Sequence, residues 1–169
     1  SFVDLYLNGA ADVMQPVQAI ALFDEFKELT PSGKRGDEMI RKLADRLAQV
    51  DLLDRAAQLL SQQVNFRLKG VEKARVGARL ATVRILNKEP ALAVDSLRKS
   101  EVAGVPLDLA AQRTQLRARA LIDLGRQAQA IEILKEDESR EADLLRGEVY
   151  WKAQAWPQAI EVFKRLVIY

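Results

Sequence analysis

Apolar residues recur along the chain at steps of three and four, separated by charged and amide side chains, which is the pattern of amphipathic helices. The stretches "AIALF", "AAQLL", "AVDSL", "AIEIL" and "AIEVF" share one arrangement, an alanine followed four residues later by Leu or Phe. Their alanines are Ala19, Ala56, Ala93, Ala130 and Ala159, so the steps between them are 37, 37, 37 and 29 residues. Twelve residues before them stand Leu7, Ala44, Ala81, Ala118 and Gly147, and nine before them Ala10, Leu47, Arg84, Leu121 and Tyr150. A small residue at one fixed place in each of two helices lets their axes approach closely, because a larger one would force them apart. Larger apolar residues at three- and four-residue spacing then fill the groove beside that contact.

The periodicity predicts five helix pairs in one continuous array. The first helix of each pair spans about 2–14, 34–50, 70–87, 107–124 and 139–153, and the second about 16–29, 52–65, 90–101, 127–136 and 156–167. "TPSGKRG" and "AGVPLD" supply breaks between pairs, with Pro106 placed to start a helix. Pro16, Pro90 and Pro157 fall near the first turn of their helices, where a missing N–H costs nothing. Arg84 is the odd residue in its register: either it lays its methylenes along the groove and keeps its charge wet, or its helix is rotated. The fold class expected is all-α, an α–α superhelix occupying 1–169 as a single domain. The chain opens on Ser1 and stops at "VFKRLVIY" within a running helical pattern, which reads as a segment of a longer protein.

Composition agrees with helices: Leu, Ala, Arg, Glu and Gln abound, and there are only 5 prolines. The 26 basic and 24 acidic residues nearly balance, which does not suggest a nucleic-acid binder. With no His and no Cys, the usual acid–base, nucleophilic and metal-ligating groups are missing, and no catalytic residue, cofactor or metal site is expected. "GKRG" at 33–36 lacks the strand and long loop of a phosphate cradle. Asp137 and Glu138 read as a helix junction that caps the next helix.

The offsets of small, aromatic, Ala and Phe positions resemble those of the tetratricopeptide repeat (TPR) family, whose units usually run about 34 residues. "RGEVYWKAQAWPQAIEVFKRLV" carries the resemblance best, through Gly147, Tyr150, Ala159 and Phe163, and "RARALIDLGRQAQAIEILKED" follows through Ala118, Leu121, Gly125, Ala130 and Leu134. Pairs one to three match more weakly, although Pro31 falls where the family places a terminating proline. The 37-residue spacing departs from the family's length, implying longer turns or extra helix in the earlier units.

The resemblance implies a protein-interaction scaffold whose concave face, built by the first helix of each pair, accepts a peptide or partner protein. Carried over by position, that face includes Glu38, Arg41, Asp45, Gln49, Arg75, Thr82, Gln112, Gln115, Arg119, Asp123, Glu141, Glu148, Trp151 and Lys152. Asp45, Thr82, Arg119 and Glu148 stand where some members carry the Lys and Asn residues that clamp a C-terminal carboxylate, so chaperone tails are not the expected ligand.

Residues 67–84 hold Arg67, Lys69, Lys73, Arg75, Arg79 and Arg84 against Glu72 alone. This zone, with Arg75 and Arg79 one turn apart, reads as a solvated face neutralised by neighbouring acids or as a site for an acidic protein segment. Arg113 and Arg117 repeat the one-turn spacing on the next unit. Interleaved aromatics for base stacking are missing, which disfavours nucleic acid. Trp151 and Trp156 read as the covered edge of the last pair or as a binding hot spot. No membrane contact is expected of this segment, and a spacer or self-association role is the alternative to partner binding.

Overall fold

The computed structural model describes residues 33–49 and 52–168; the first helix pair expected from the sequence, with Ala19, Leu7 and Pro16, lies outside them. The described residues form eight helices and no strand: α1 (Lys34–Gln49), α2 (Leu53–Phe66), α3 (Gly70–Leu86), α4 (Pro90–Lys99), α5 (Leu107–Asp123), α6 (Gln127–Leu134), α7 (Arg140–Lys152) and α8 (Trp156–Ile168). Each boundary of these eight helices falls within two residues of the sequence expectation. Pro90 opens α4 at its first position, whereas Pro106 caps α5 from just outside with an extended backbone (φ −55°, ψ 149°).

One turn bond recurs between the two helices of each of the four described pairs. The N–H four residues before each register alanine donates to the carbonyl nine before it: Leu52 to Leu47, Glu89 to Arg84 and Arg126 to Leu121 at 2.8 Å, and Ala155 to Tyr150 at 2.9 Å. This bond ties off a carbonyl that the helix end would leave orphaned. Five residues before the alanine, the turn passes through left-handed backbone at Lys88 (φ 60°), Gly125 (φ 80°) and Gln154 (φ 56°). Only Gly125 suits that conformation without a side-chain penalty.

The alanines pack as their register requires. Ala56, Ala93 and Ala130 are wholly buried and Ala159 nearly so, and Ala44, Ala81 and Ala118 are wholly buried opposite them. At Gly147 a Cβ would sit 3.0 Å from Phe163 Cε1 and 3.4 Å from Val162 Cγ1, so a glycine sets how closely α7 meets α8. Apolar clusters link each pair to the next: Leu60 and Val64 of α2 with Val76, Leu80 and Val83 of α3, then Leu97 of α4 with Ala120 of α5, then Leu134 of α6 with Ala142, Leu145 and Val149 of α7. The extensive helix contacts join chain neighbours or helices two apart.

The step lengths resolve into helix and loop. From α2 to α4 a 14-residue helix and a 17-residue helix lie between short turns, while from α4 to α6 a 10-residue helix is compensated by the longer linker 100–106. The final step is shorter because α6 has 8 residues and α7 only 13, one helical turn less than α3 or α5. Of the eight residues by which the 37-residue steps exceed the final one, the extra turn of the first helix supplies four, and the second helix with its following linker supplies the rest.

Candidate interaction surfaces

The face formed by α1, α3, α5 and α7 is cross-linked by its own charges. Arg41 of α1 lies 3.6 Å from Glu72 of α3, which also contacts Arg75 at 3.4 Å, and Arg79 reaches back to Asp45 at 3.3 Å. Further along, Arg119 of α5 lies 2.6 Å from Glu148 of α7 and 3.6 Å from Asp123, and Lys152 meets Glu148 at 3.1 Å. Burial works against the Glu148 carboxylate, but Lys152 and Arg119 outweigh it and hold its pKa below the usual range. Gln115 donates to Asp137 at 2.9 Å and to Ser139 at 3.3 Å, while Gln112 is exposed. The sequence-derived residues thus fall into two charge clusters, Arg41–Glu72–Arg75 with Asp45–Arg79, and Arg119–Glu148–Lys152.

The basic zone of residues 67–84 meets acids that its own stretch does not contain. Arg67 pairs with Asp37 at 2.9 Å, Arg79 with Asp45 and Arg84 with Glu89 at 3.2 Å. Arg75 and Arg79 are exposed, so these pairs are solvent-screened and individually weak. Trp151, 58% exposed, packs edge-on against Trp156 at 5.1 Å and near Phe163 at 6.0 Å. The two tryptophans and Phe163 form an apolar surface on the last pair, joined by exposed Ile160 and Val167.

Two buried charge sites escaped the sequence reading. Arg113 does not share a solvated side with Arg117. It is buried, donating to Ala74 O at 2.6 Å, Leu97 O at 2.7 Å and Ser100 Oγ at 3.1 Å, and burial lowers its pKa. It occupies the second place of the stripe Leu109–Arg113–Leu116–Ala120, a register position that an apolar residue would ordinarily take. Asp143 is also buried and receives Arg146 and Arg165, each at 2.8 Å. The Arg165 bonds hold its carboxyl down at about 2; burial opposes them and Arg146 adds to them. Arg146 donates in addition to Leu134 O at 2.8 Å and Asp137 O at 2.6 Å. Arg113 and Arg146 therefore close the C-terminal ends of α4 and α6 in the same way, through the carbonyls of Leu97 and Leu134, four residues past their register alanines. The cap of α7 is Ser139, which accepts from the Ala142 N–H at 3.2 Å; Asp137 stands behind it, accepting from the Ser139 N–H at 2.9 Å.

A groove recurs at each of the three described junctions between the second helices of neighbouring pairs. Three register positions line it every time: five residues past one alanine, and thirteen and nine before the next. Between α2 and α4 these are Ser61, Leu80 and Arg84, and the groove holds about 110 Å³ beside a further hollow of about 350 Å³ on α2 that Ser61 and Arg84 also line. Between α4 and α6 they are Arg98, Arg117 and Leu121, and it opens to about 710 Å³ with Val94 and Ile133 on its walls. Between α6 and α8 they are Lys135, Arg146 and Tyr150, around about 580 Å³. Arg84, the outlier of the sequence register, is half-buried and ion-paired at the first of the three.

No helix among the described residues is long and apolar enough to cross a membrane. Among these residues no cluster of three or more acidic, His or Cys side chains is placed to hold a metal ion. Comparison with known proteins finds no matching family model, no matching characterised protein and no matching solved structure.

Proposed function

We propose that the chain is a non-catalytic protein-interaction scaffold, a TPR-like right-handed superhelix of about five helix pairs. One observation carries the reading: the same turn bond and the same buried alanine recur in four consecutive pairs, whose extensive contacts reach only near neighbours in sequence. Such stacking builds an elongated array with long exposed faces rather than a closed core around a reacting centre. The face of α1, α3, α5 and α7 is the proposed concave surface. Its exposed Arg75 and Arg79 offer donors to an acidic partner that displaces Glu72 and Asp45.

The test is capture of a partner by the whole chain, followed by titration of that partner at two salt concentrations. Affinity that falls as salt rises, and falls again in the Arg75→Gln/Arg79→Gln double variant, supports recognition at this face. Neutralisation is preferable to reversal, because acids placed beside Glu72 and Asp45 would repel them and disturb the helices. Equal affinity in both forms removes these arginines from the binding surface. A spacer role is the second reading, favoured by the ion pairs that knit the face to itself, Arg119–Glu148 above all. Failure to capture any partner moves the assignment to that role.

A further inference from the structure

We infer that the groove between α4 and α6 docks an acidic amphipathic helix of a partner protein, at a surface separate from the face of α1, α3, α5 and α7. The inference rests on the scaffold reading and names a second surface and its ligand chemistry. The groove has an apolar floor, with Leu121 at its base and Val94 and Ile133 on the two sides. Its walls are two helices, so a third helix can lay an apolar stripe between them as the array's own helices do at every junction. The opening to solvent suits a helix, whose other face stays wet, better than a small apolar ligand that needs enclosure.

Charge selects the sign of the partner. Asp95 is taken twice, by Arg98 at 2.5 Å and by Lys99 at 3.0 Å; Glu101 is held by Arg117 at 3.3 Å and Glu132 by Lys135 at 2.8 Å. Arg126, exposed on the rim, makes no ion pair with any described residue. Every nearby carboxylate is thus engaged while cation is left over, and an apolar stripe flanked by Glu or Asp complements both features.

One register position differs in character among the three junctions. Nine residues before the alanine, Leu121 is short and apolar. At the same place the α2–α4 junction holds Arg84 among Ser61, Asn65, Asp95 and Lys99, and the α6–α8 junction holds Tyr150 among Lys135, Asp137, Glu138, Arg146 and Arg165. The side chain at this position thus differs in charge and size from groove to groove.

The probe is a fluorescein-labelled designed peptide of about four turns, with Leu at i, i+3, i+4 and i+7 and Glu elsewhere. A second peptide replaces every Glu with Lys, and labelled laurate serves as the small amphiphile. Titrated by anisotropy against the whole chain, the acidic peptide should bind, and the basic one should bind at least about tenfold more weakly. Arg126→Glu should cost the acidic peptide about tenfold. Leu121→Arg, which copies the natural Arg84, should abolish binding. Leu121 is nearly buried, so circular dichroism must show that variant folded, and the exposed Arg126→Glu change keeps the test decisive if it is not. Equal binding of the two peptides, or unchanged affinity in Arg126→Glu, overturns the assignment. Binding of laurate but not of the acidic peptide overturns it in favour of a small amphiphile. A null titration alongside a captured partner that depends on Arg75 and Arg79 removes the groove and leaves the scaffold reading standing.

Discussion

Replacing Asp143 with Asn tests the energetics of the last junction directly. The buried carboxylate joins α7 to α8 through Arg165 and steadies Arg146, which in turn closes the end of α6. Its pKa falls from 3.8 to about 2, a shift of nearly two pH units, in a side chain only 1% exposed. Linkage converts that shift into about 2 kcal/mol of stability. Because the folded pKa is depressed, the contribution is complete above the unfolded value of 3.8 and is lost as pH falls through about 2. Asp143→Asn should therefore cost about 2 kcal/mol at neutral pH, and the difference from the parent should shrink steadily below pH 5. The assay is urea unfolding of both forms at pH 7, 5, 4 and 3, followed by circular dichroism. Urea adds no ionic screening, and carboxylates common to both forms cancel in the comparison. A difference near zero at pH 7, or one that stays constant down to pH 3, would refute the assignment of the stabilisation to an ionised Asp143.

Two further outcomes follow from the register. Ala118→Leu and Ala130→Leu each force a larger side chain into a fully buried contact and should cost about 1–3 kcal/mol in denaturant titrations; stabilities matching the parent would misplace the helix interface. Gln154→Gly relieves left-handed backbone in a turn whose hydrogen bonds are all main-chain, and should raise stability by about 0.5–1 kcal/mol, visible as a higher melting temperature.

The helix pairs and their closest contacts were legible because small residues at fixed offsets report one physical requirement, close approach of helix axes. Ala93 and Ala130 needed no knowledge of their neighbours to be read as buried. The partners of charged residues were less accessible. Arg41–Glu72, Asp45–Arg79 and Arg119–Glu148 span 31, 34 and 29 residues, roughly one repeat, because they bridge first helices of adjacent pairs. A local count over residues 67–84 shows only the cations, since the neutralising Asp37, Asp45 and Glu89 come from outside the window. Arg113 was misread for a related reason: a one-turn spacing to Arg117 suggests a common side, yet its acceptors Ala74 O and Leu97 O belong to other helices.

The grooves between second helices show what such an array gains from imperfect repetition. Close packing fixes the small residues, because any enlargement at Ala44, Ala81 or Ala118 meets the facing helix. The position nine residues before each alanine is freer: its backbone carbonyl closes the turn, and that bond is indifferent to the side chain attached. Leu47, Arg84, Leu121 and Tyr150 all accept it at 2.8–2.9 Å. The fold therefore constrains the main chain at this place while leaving the side chain to vary. That side chain lines a groove at each of the three described junctions between second helices. Exchanging Leu121 and Arg84 should consequently alter the lining of both grooves, adding a cation beside Val94 and Ile133 and removing one beside Ser61 and Asn65, with the turn bonds kept. The three junctions in this way carry an arginine, a leucine and a tyrosine at one and the same backbone position.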